Sequence, residues 1–216
     1  MQHINSIIEV LSPEEIQLVH NSSAKVLETI GINVPNAEVL KRCEAFGAVI
    51  DLENEIMRIP QKALEDVLQK IREKNAADFA REEGRRDISA HISTQVFFTD
   101  YQTKTSRYGV RNDNLKGFAL LEHLNNFPTA DPVVVPSDVP DQISDLIGYQ
   151  DIYKYSTKPG ATYILTPTSA KYILQMNQLM NRPTNYLLET ISPLSYKRDT
   201  LEMALLFADN GDRKSV

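Results

Sequence analysis

One cysteine, Cys43, stands in 216 residues, so no internal disulfide can form. It sits near Val39, Leu40 and Phe46 with no activating cation or histidine evident, and reads as a packed thiol rather than a nucleophile. Glycine is scarce, eight in all, against the ~7% usual in proteins. None stands in G-x-G-x-x-G or G-x-x-x-x-G-K-[ST] order, so no nucleotide cradle is visible. Basic charge is in deficit. A net charge of -6 and a pI near 5.3 supply no footprint for nucleic acid or an anionic membrane surface. The four histidines, His3, His20, His91 and His123, are far apart, without H-E-x-x-H or a cysteine at ligand spacing, so no metal site is expected. No apolar run approaches the ~20 residues of a membrane span. The start, Met1-Gln2-His3-Ile4, lacks the basic-then-apolar opening of a signal peptide, and a cytoplasmic location is expected.

What is present is an ordinary globular balance, 42% hydrophobic and 24% charged, with one organising stretch. Residues 131–138, Asp-Pro-Val-Val-Val-Pro-Ser-Asp, read as a buried strand. A helical pattern follows over 141–156, with Ile143, Leu146, Ile147, Gln150 and Tyr153 on one face, and then a second strand-like run, 161–165. The pattern recurs as a helix over 169–180, a strand over 186–191 and a helix over 199–209. Strands alternating with helices of this length predict a parallel sheet with right-handed crossovers.

The earlier chain reads differently. Ser12-Pro13-Glu14-Glu15 is a capping box, Ile16, Val19, Ser23, Val26, Leu27 and Ile30 mark one helical face, and Gly31 ends it. A second helix is expected over 36–46, a hairpin from 48–51 and 56–59, and a third helix over 60–71 with Ala63, Leu64, Val67, Leu68 and Ile71 on one side. Alternation at Ile88, Ala90 and Ile92, the run Val96-Phe97-Phe98 and residues 103–108 predict an antiparallel meander over 77–110. A helix over 114–126, capped by Asn112 or Asp113, leads into the first strand. The expected organisation is a helical cap with a small hairpin over 1–76, an antiparallel meander over 77–112, and the first part of a (β/α)8 TIM-type barrel over 113–216.

In parallel βα architectures functional groups collect where strands end and helices begin. The candidates are Ser137 and Asp138 after the first strand, Thr166 and Thr168 after the second, and Ser192 and Ser195 after the third. Glu189, within the third strand among Leu187, Leu188 and Ile191, is costly to bury unless paired or facing a polar barrel interior. Each hydroxyl could simply cap the next helix. Strand starts near 131, 161 and 186 match the repeat of a barrel, but three units are not eight. An uncovered parallel sheet would leave Val133, Val135, Tyr163, Leu165, Leu187 and Ile191 exposed, forfeiting about 10 kcal/mol. A fragment that self-associates is the expectation.

Several pieces, in order, carry a resemblance: Leu11-Ser12-Pro13-Glu14-Glu15-Ile16, Val26-Leu27-Glu28-Thr29-Ile30-Gly31-Ile32, Gly47-Ala48-Val49-Ile50-Asp51, Arg58-Ile59-Pro60, Val135-Pro136-Ser137-Asp138-Val139-Pro140, Lys158-Pro159 and Ile191-Ser192-Pro193-Leu194. Together they resemble the trimethylamine methyltransferase family. The resemblance implies a TIM-barrel enzyme that moves a methyl group from a methylamine or a quaternary amine such as a betaine to the cobalt of a separate corrinoid protein. That protein would dock over the barrel mouth, and no cofactor would be bound directly. The competing reading is a non-catalytic remnant or interaction module of that family.

Overall fold

Ser12 opens the first helix, α1 (Pro13–Thr29), as its sequence requires: Ser12 Oγ accepts the Glu15 amide at 3.2 Å and Glu15 Oε2 accepts the Ser12 amide at 2.8 Å. In this computed structural model the described residues are 10–82, 95–182, 186, 188 and 193–210. They fall into two units, Met1–Ala80 with Ser192–Tyr196, and Arg81–Ile191 with Lys197–Val216.

In the first unit, Gly31 ends α1 at φ +84°, where a Cβ would lie 2.5 Å from the Met57 carbonyl oxygen. Only glycine satisfies both the left-handed backbone and that approach. The chain continues as β1 (Ile32–Asn33), α2 (Ala37–Glu44), β2 (Val49–Asp51), β3 (Ile56–Arg58) and α3 (Gln61–Glu82). The expected hairpin forms, and β1 joins it in a wholly antiparallel sheet of order β1-β3-β2. Asn36 caps α2, accepting the amides of Glu38 and Val39. The segment 194–196 lies along the free edge of β1: the Asn33 amide donates to Leu194 O at 2.9 Å and the Tyr196 amide to Asn33 O at 3.0 Å.

Two expectations for this unit are corrected. The helical face marked by Ile16, Val19, Ser23, Val26, Leu27 and Ile30 is not the buried one: Ala24 is the buried residue of the helix, and Ile16, Val19 and Ile30 are exposed. Helix α3 runs on to Glu82, so residues 77–82 are helical rather than the start of a meander. Lys62–Asp66 and Gln69–Glu73 pairs one turn apart support its outer surface. Ile88, Ala90 and Ile92 lie outside the described residues.

The second unit begins with a hairpin, β4 (Phe97–Thr99) antiparallel to β5 (Ser106–Tyr108), which is the described part of the expected antiparallel element. Then follow α4 (Arg111–His123), a single 3-10 turn (Asp141–Ile143), α5 (Ser144–Tyr155), α6 (Pro167–Met180) and α7 (Arg198–Asp209). Successive helices pack side by side around Phe118, Leu121, Tyr149, Ile152, Ile173 and Phe207. The Tyr186 and Phe207 rings stack with centroids 3.8 Å apart.

The parallel array is not formed among the described residues. Residues 131–135 and 161–165 make no strand ladder, and most of 186–191 lies outside the described residues, so the fold is mixed helix and strand with small antiparallel sheets, and no partial barrel is seen. The chemistry of the two runs explains this. Pro132 and Pro136 bracket the valines and offer no N–H. The Val133 and Val134 amides go to Asn114 Oδ1, and the Val135 amide goes to Gln95 O. In the other run the Ala161 amide goes to Asp131 Oδ1 and the Leu165 amide to Asp145 Oδ2. Side-chain oxygens take four of these five amides, and a main-chain carbonyl takes the fifth.

Candidate functional site

The start of α4 is built from charge. Val110 is its N-cap and offers no side-chain bond, so the expected cap at Asn112 or Asp113 is corrected. Asp113 instead lies in the first turn and reaches back to the Val110 amide at 3.0 Å. Its buried carboxylate also takes both arms of Arg107, at 2.7 and 2.8 Å. Those bonds hold Asp113 below the usual carboxylate range despite burial. Arg107 also covers the Phe98 ring of its own hairpin, and its pair with Asp113 ties the hairpin to α4.

Arg111 closes a second pair, Nε and Nη2 on the buried carboxylate of Asp151 at 2.8 and 2.6 Å, and that contact raises its own pKa. Asn114, also buried, gives its amide to Val134 O at 3.0 Å while its oxygen takes two main-chain amides. Asp145 bridges the Leu146 amide at 2.8 Å and the Leu165 amide at 2.9 Å. The buried face of α5 is therefore Asp145, Tyr149, Asp151 and Ile152, rotated from the face through Ile143, Leu146, Ile147, Gln150 and Tyr153 that spacing predicted. Burial raises the Tyr149 phenol well above its ordinary value, and its hydroxyl donates to Thr162 O at 3.1 Å.

This frame encloses a cavity of about 180 Å³, far above the ~10–15 Å³ that admits one water. Its walls are Pro132, Val134, Val135, Pro136, Ile147 and Leu165, and Arg111, Asp141, Asp145, Asp151 and Tyr163 also line it. Three carboxylates and one guanidinium line it, and Asp151 alone of the three is paired with Arg111 among the contacts described. The N-terminal ends of α4 and α5 meet there, whereas their C-terminal ends gather elsewhere. At that second end Lys158 Nζ donates to the Leu121 and Leu124 carbonyls that end α4, and Arg182 donates to Ser156 O at 2.9 Å and Lys158 O at 2.8 Å. A partly apolar cavity of net negative character suits a small cation. Among the described residues no three His, Cys, Asp or Glu side chains are placed to hold a metal, and no helix is long and apolar enough to cross a membrane.

Ser137, Asp138, Thr166 and Thr168, singled out from sequence, are not among the residues that line this cavity. Ser137 donates its amide and hydroxyl to Gly109 O, at 2.8 and 2.9 Å. Asp138 Oδ1 accepts the Arg111 amide at 2.7 Å, supplying the cap that α4 lacks locally. Thr166 caps α6, accepting the Ser169 amide at 3.0 Å, and Thr168 lies in that first turn. Ser195 belongs to the first unit, bonded to Asn33, so it is not brought to this cavity. Glu189 and Ser192 lie outside the described residues. Sequence reasoning missed Arg111, Asn114, Asp145 and Asp151. The available signal was Asp145 and Asp151 within an apolar helical pattern, where an acid needs a partner; the partner of Asp151, forty positions away, carried no local cue.

The sequence is 23% identical over 153 residues to trimethylamine methyltransferase MttB of Desulfitobacterium hafniense (strain DSM 10664 / DCB-2), an alignment covering 68% of this chain and 31% of that protein. The chain thus matches less than a third of the length of that curated relative. The sequence profile of the family described as trimethylamine methyltransferase (MTTB) matches residues 1–212. The chain belongs to the trimethylamine methyltransferase family.

Proposed function

We propose that this chain is part of a methyltransferase that moves a methyl group from a methylated or quaternary amine to the cobalt of a separate corrinoid protein. The observation that carries the reading is the family match across residues 1–212. The cavity supports it: apolar walls suit methyl groups, and the carboxylate excess suits the ammonium that bears them. The corrinoid would be the methyl acceptor, held by its own protein. When the carbon–nitrogen bond breaks, its electron pair stays on nitrogen, so a quaternary ammonium leaves as a neutral amine and a tertiary amine needs a proton first. The exposed carboxylate of Asp141 and the half-buried Tyr163 would hold that cation. Ser137, Asp138 and Thr166 would hold the surrounding frame.

The barrel belongs to this proposal. Segments 130–136 and 161–165 each return the chain from the C-terminal end of one helix to the N-terminal end of the next, as the strands of a βα array do. Further units in a longer protein would supply the ladder partners that the described residues lack.

The test has two parts. Titration with tetramethylammonium, followed by amide NMR, should shift residues around Asp141 and Tyr163, and Asp141→Asn should weaken binding several-fold. The 216-residue chain, mixed with a reduced corrinoid protein and trimethylamine or a betaine, should produce no methyl-cobalt absorption by itself. Failure of a folded chain to bind the cation overturns the assignment of the cavity. Binding of the corrinoid protein without any amine favours the interaction-module reading.

A further inference from the structure

Helix α5 carries Gly148 in its interior, where glycine is the poorest helix former after proline. Its backbone is ordinary right-handed helix, so no turn requires it. Packing raises only a mild objection to a larger residue. A Cβ at Gly148 would meet the Thr162 methyl carbon at 3.2 Å and Pro132 Cγ at 3.7 Å, side-chain contacts that a shift of a few tenths of an ångström relieves. At Gly160, by contrast, the obstacle is main chain at 2.2 Å. What distinguishes Gly148 is its place. It lines the cavity, and so do Thr162 and Pro132, the two residues that its missing side chain would touch.

The gap at Gly148 is held open. The segment facing α5 is pinned to either side of the glycine, by the Leu165 amide on Asp145 Oδ2 at 2.9 Å and by the Tyr149 hydroxyl on Thr162 O at 3.1 Å. Tyr149 itself is wholly buried. Next to Pro132, the Asp131 carboxylate holds the Ala161 amide at 2.6 Å. These bonds keep the far wall at a set distance from a helix that presents no side chain there.

We infer that Gly148 is a specificity-determining residue of the cavity: with the Thr162 methyl opposite, it sets the width open to the N-methyl groups of the bound cation. The inference rests on the reading of the cavity as an ammonium site. Alanine at 148 adds one methyl carbon to the wall and leaves the charge of the cavity unchanged. Attraction to the carboxylates is kept, and only the fit of shape is lost. A cation with four N-methyl groups is excluded first, whereas methylammonium, with one, still enters. Stability and binding then move in opposite directions, because alanine favours the helix and disfavours the ligand.

Calorimetric titration of the full chain with tetramethylammonium and with methylammonium tests this. Gly148→Ala should weaken tetramethylammonium binding by about ten-fold or more, leave methylammonium binding unchanged and melt no lower than the natural chain. Thr162→Ser added to Gly148→Ala removes a methyl where one was gained, and should restore tetramethylammonium binding. Thr162→Ser alone should tighten binding of ethyltrimethylammonium several-fold. If Gly148→Ala binds tetramethylammonium as the natural chain does, the inference is wrong and the reading of the cavity stands; if the natural chain binds neither cation, both fall. Equal loss of the two cations in Gly148→Ala, or a markedly lower melting temperature, would make the glycine a packing residue and overturn the inference. A double variant that stays weak would overturn it too.

Discussion

Arg111 and Asp151 meet through two charge-assisted hydrogen bonds, with the carboxylate buried and the guanidinium about one-third exposed. The two ends of the pair are unequal, because removing the arginine strands a buried charge whereas removing the acid leaves a cation with access to water. Arg111→Met should therefore cost more than Asp151→Asn, with the larger loss on the order of 3 kcal/mol. Urea unfolding of both variants checks the order, and equal or reversed losses would contradict it.

Asn114 replaces a neighbouring strand for residues 133 and 134 by binding two amides and a carbonyl. Asn114→Ala leaves three main-chain groups without their partner, at a cost of about 2–3 kcal/mol. Hydrogen exchange at the Val133 and Val134 amides should accelerate more than at the core of α6. Unchanged protection there would show that water or another group serves them equally well.

Asp113 is held below its ordinary pKa first by Arg107 and then by the Val110 amide. A depressed folded value means that its stabilisation is fully present above the ordinary carboxylate value near ~4 and is lost as pH falls toward the folded value. The stability advantage of the natural chain over Asp113→Asn should be complete at about pH 6 and shrink below about pH 4. A difference constant with pH would show that the carboxylate's charge is not what matters.

Gly160 lets two loops cross at close range. A Cβ there would stand 2.2 Å from the Ala130 carbonyl oxygen, beside the bond from the Ala130 amide to Pro159 O at 2.9 Å. Gly160→Ala should lower stability by roughly 2–4 kcal/mol, because backbone rather than a flexible side chain must move. A melting temperature within one degree of the natural chain would show that the loops separate freely.

Much of the helical content was legible because its signals are local. Ser12 and Glu15 form their capping box, Asn36 caps α2, and Pro167 begins α6 after Thr166. Runs of β-branched residues misled where tertiary partners decided the outcome. Val133 to Val135 have strong strand propensity, yet Asn114 and Gln95 take their amides from other parts of the chain. Likewise α5 turns its acids inward because Arg111 and the Leu165 amide await them, which a hydrophobic period cannot register. The lining of the cavity rests on pairings between residues 20 to 40 positions apart, which no local pattern registers.

The contact of Asn33 with residues 194–196 spans 162 positions between Asn33 and Ser195. On a ribosome adding about 5–20 residues per second, the β1 edge waits some 8–30 s for its neighbour. During that interval its main-chain groups are open to any extended segment, including those of nascent chains on the same message. Final closure of the first unit is thus a late event in synthesis, although all of its helices are made early.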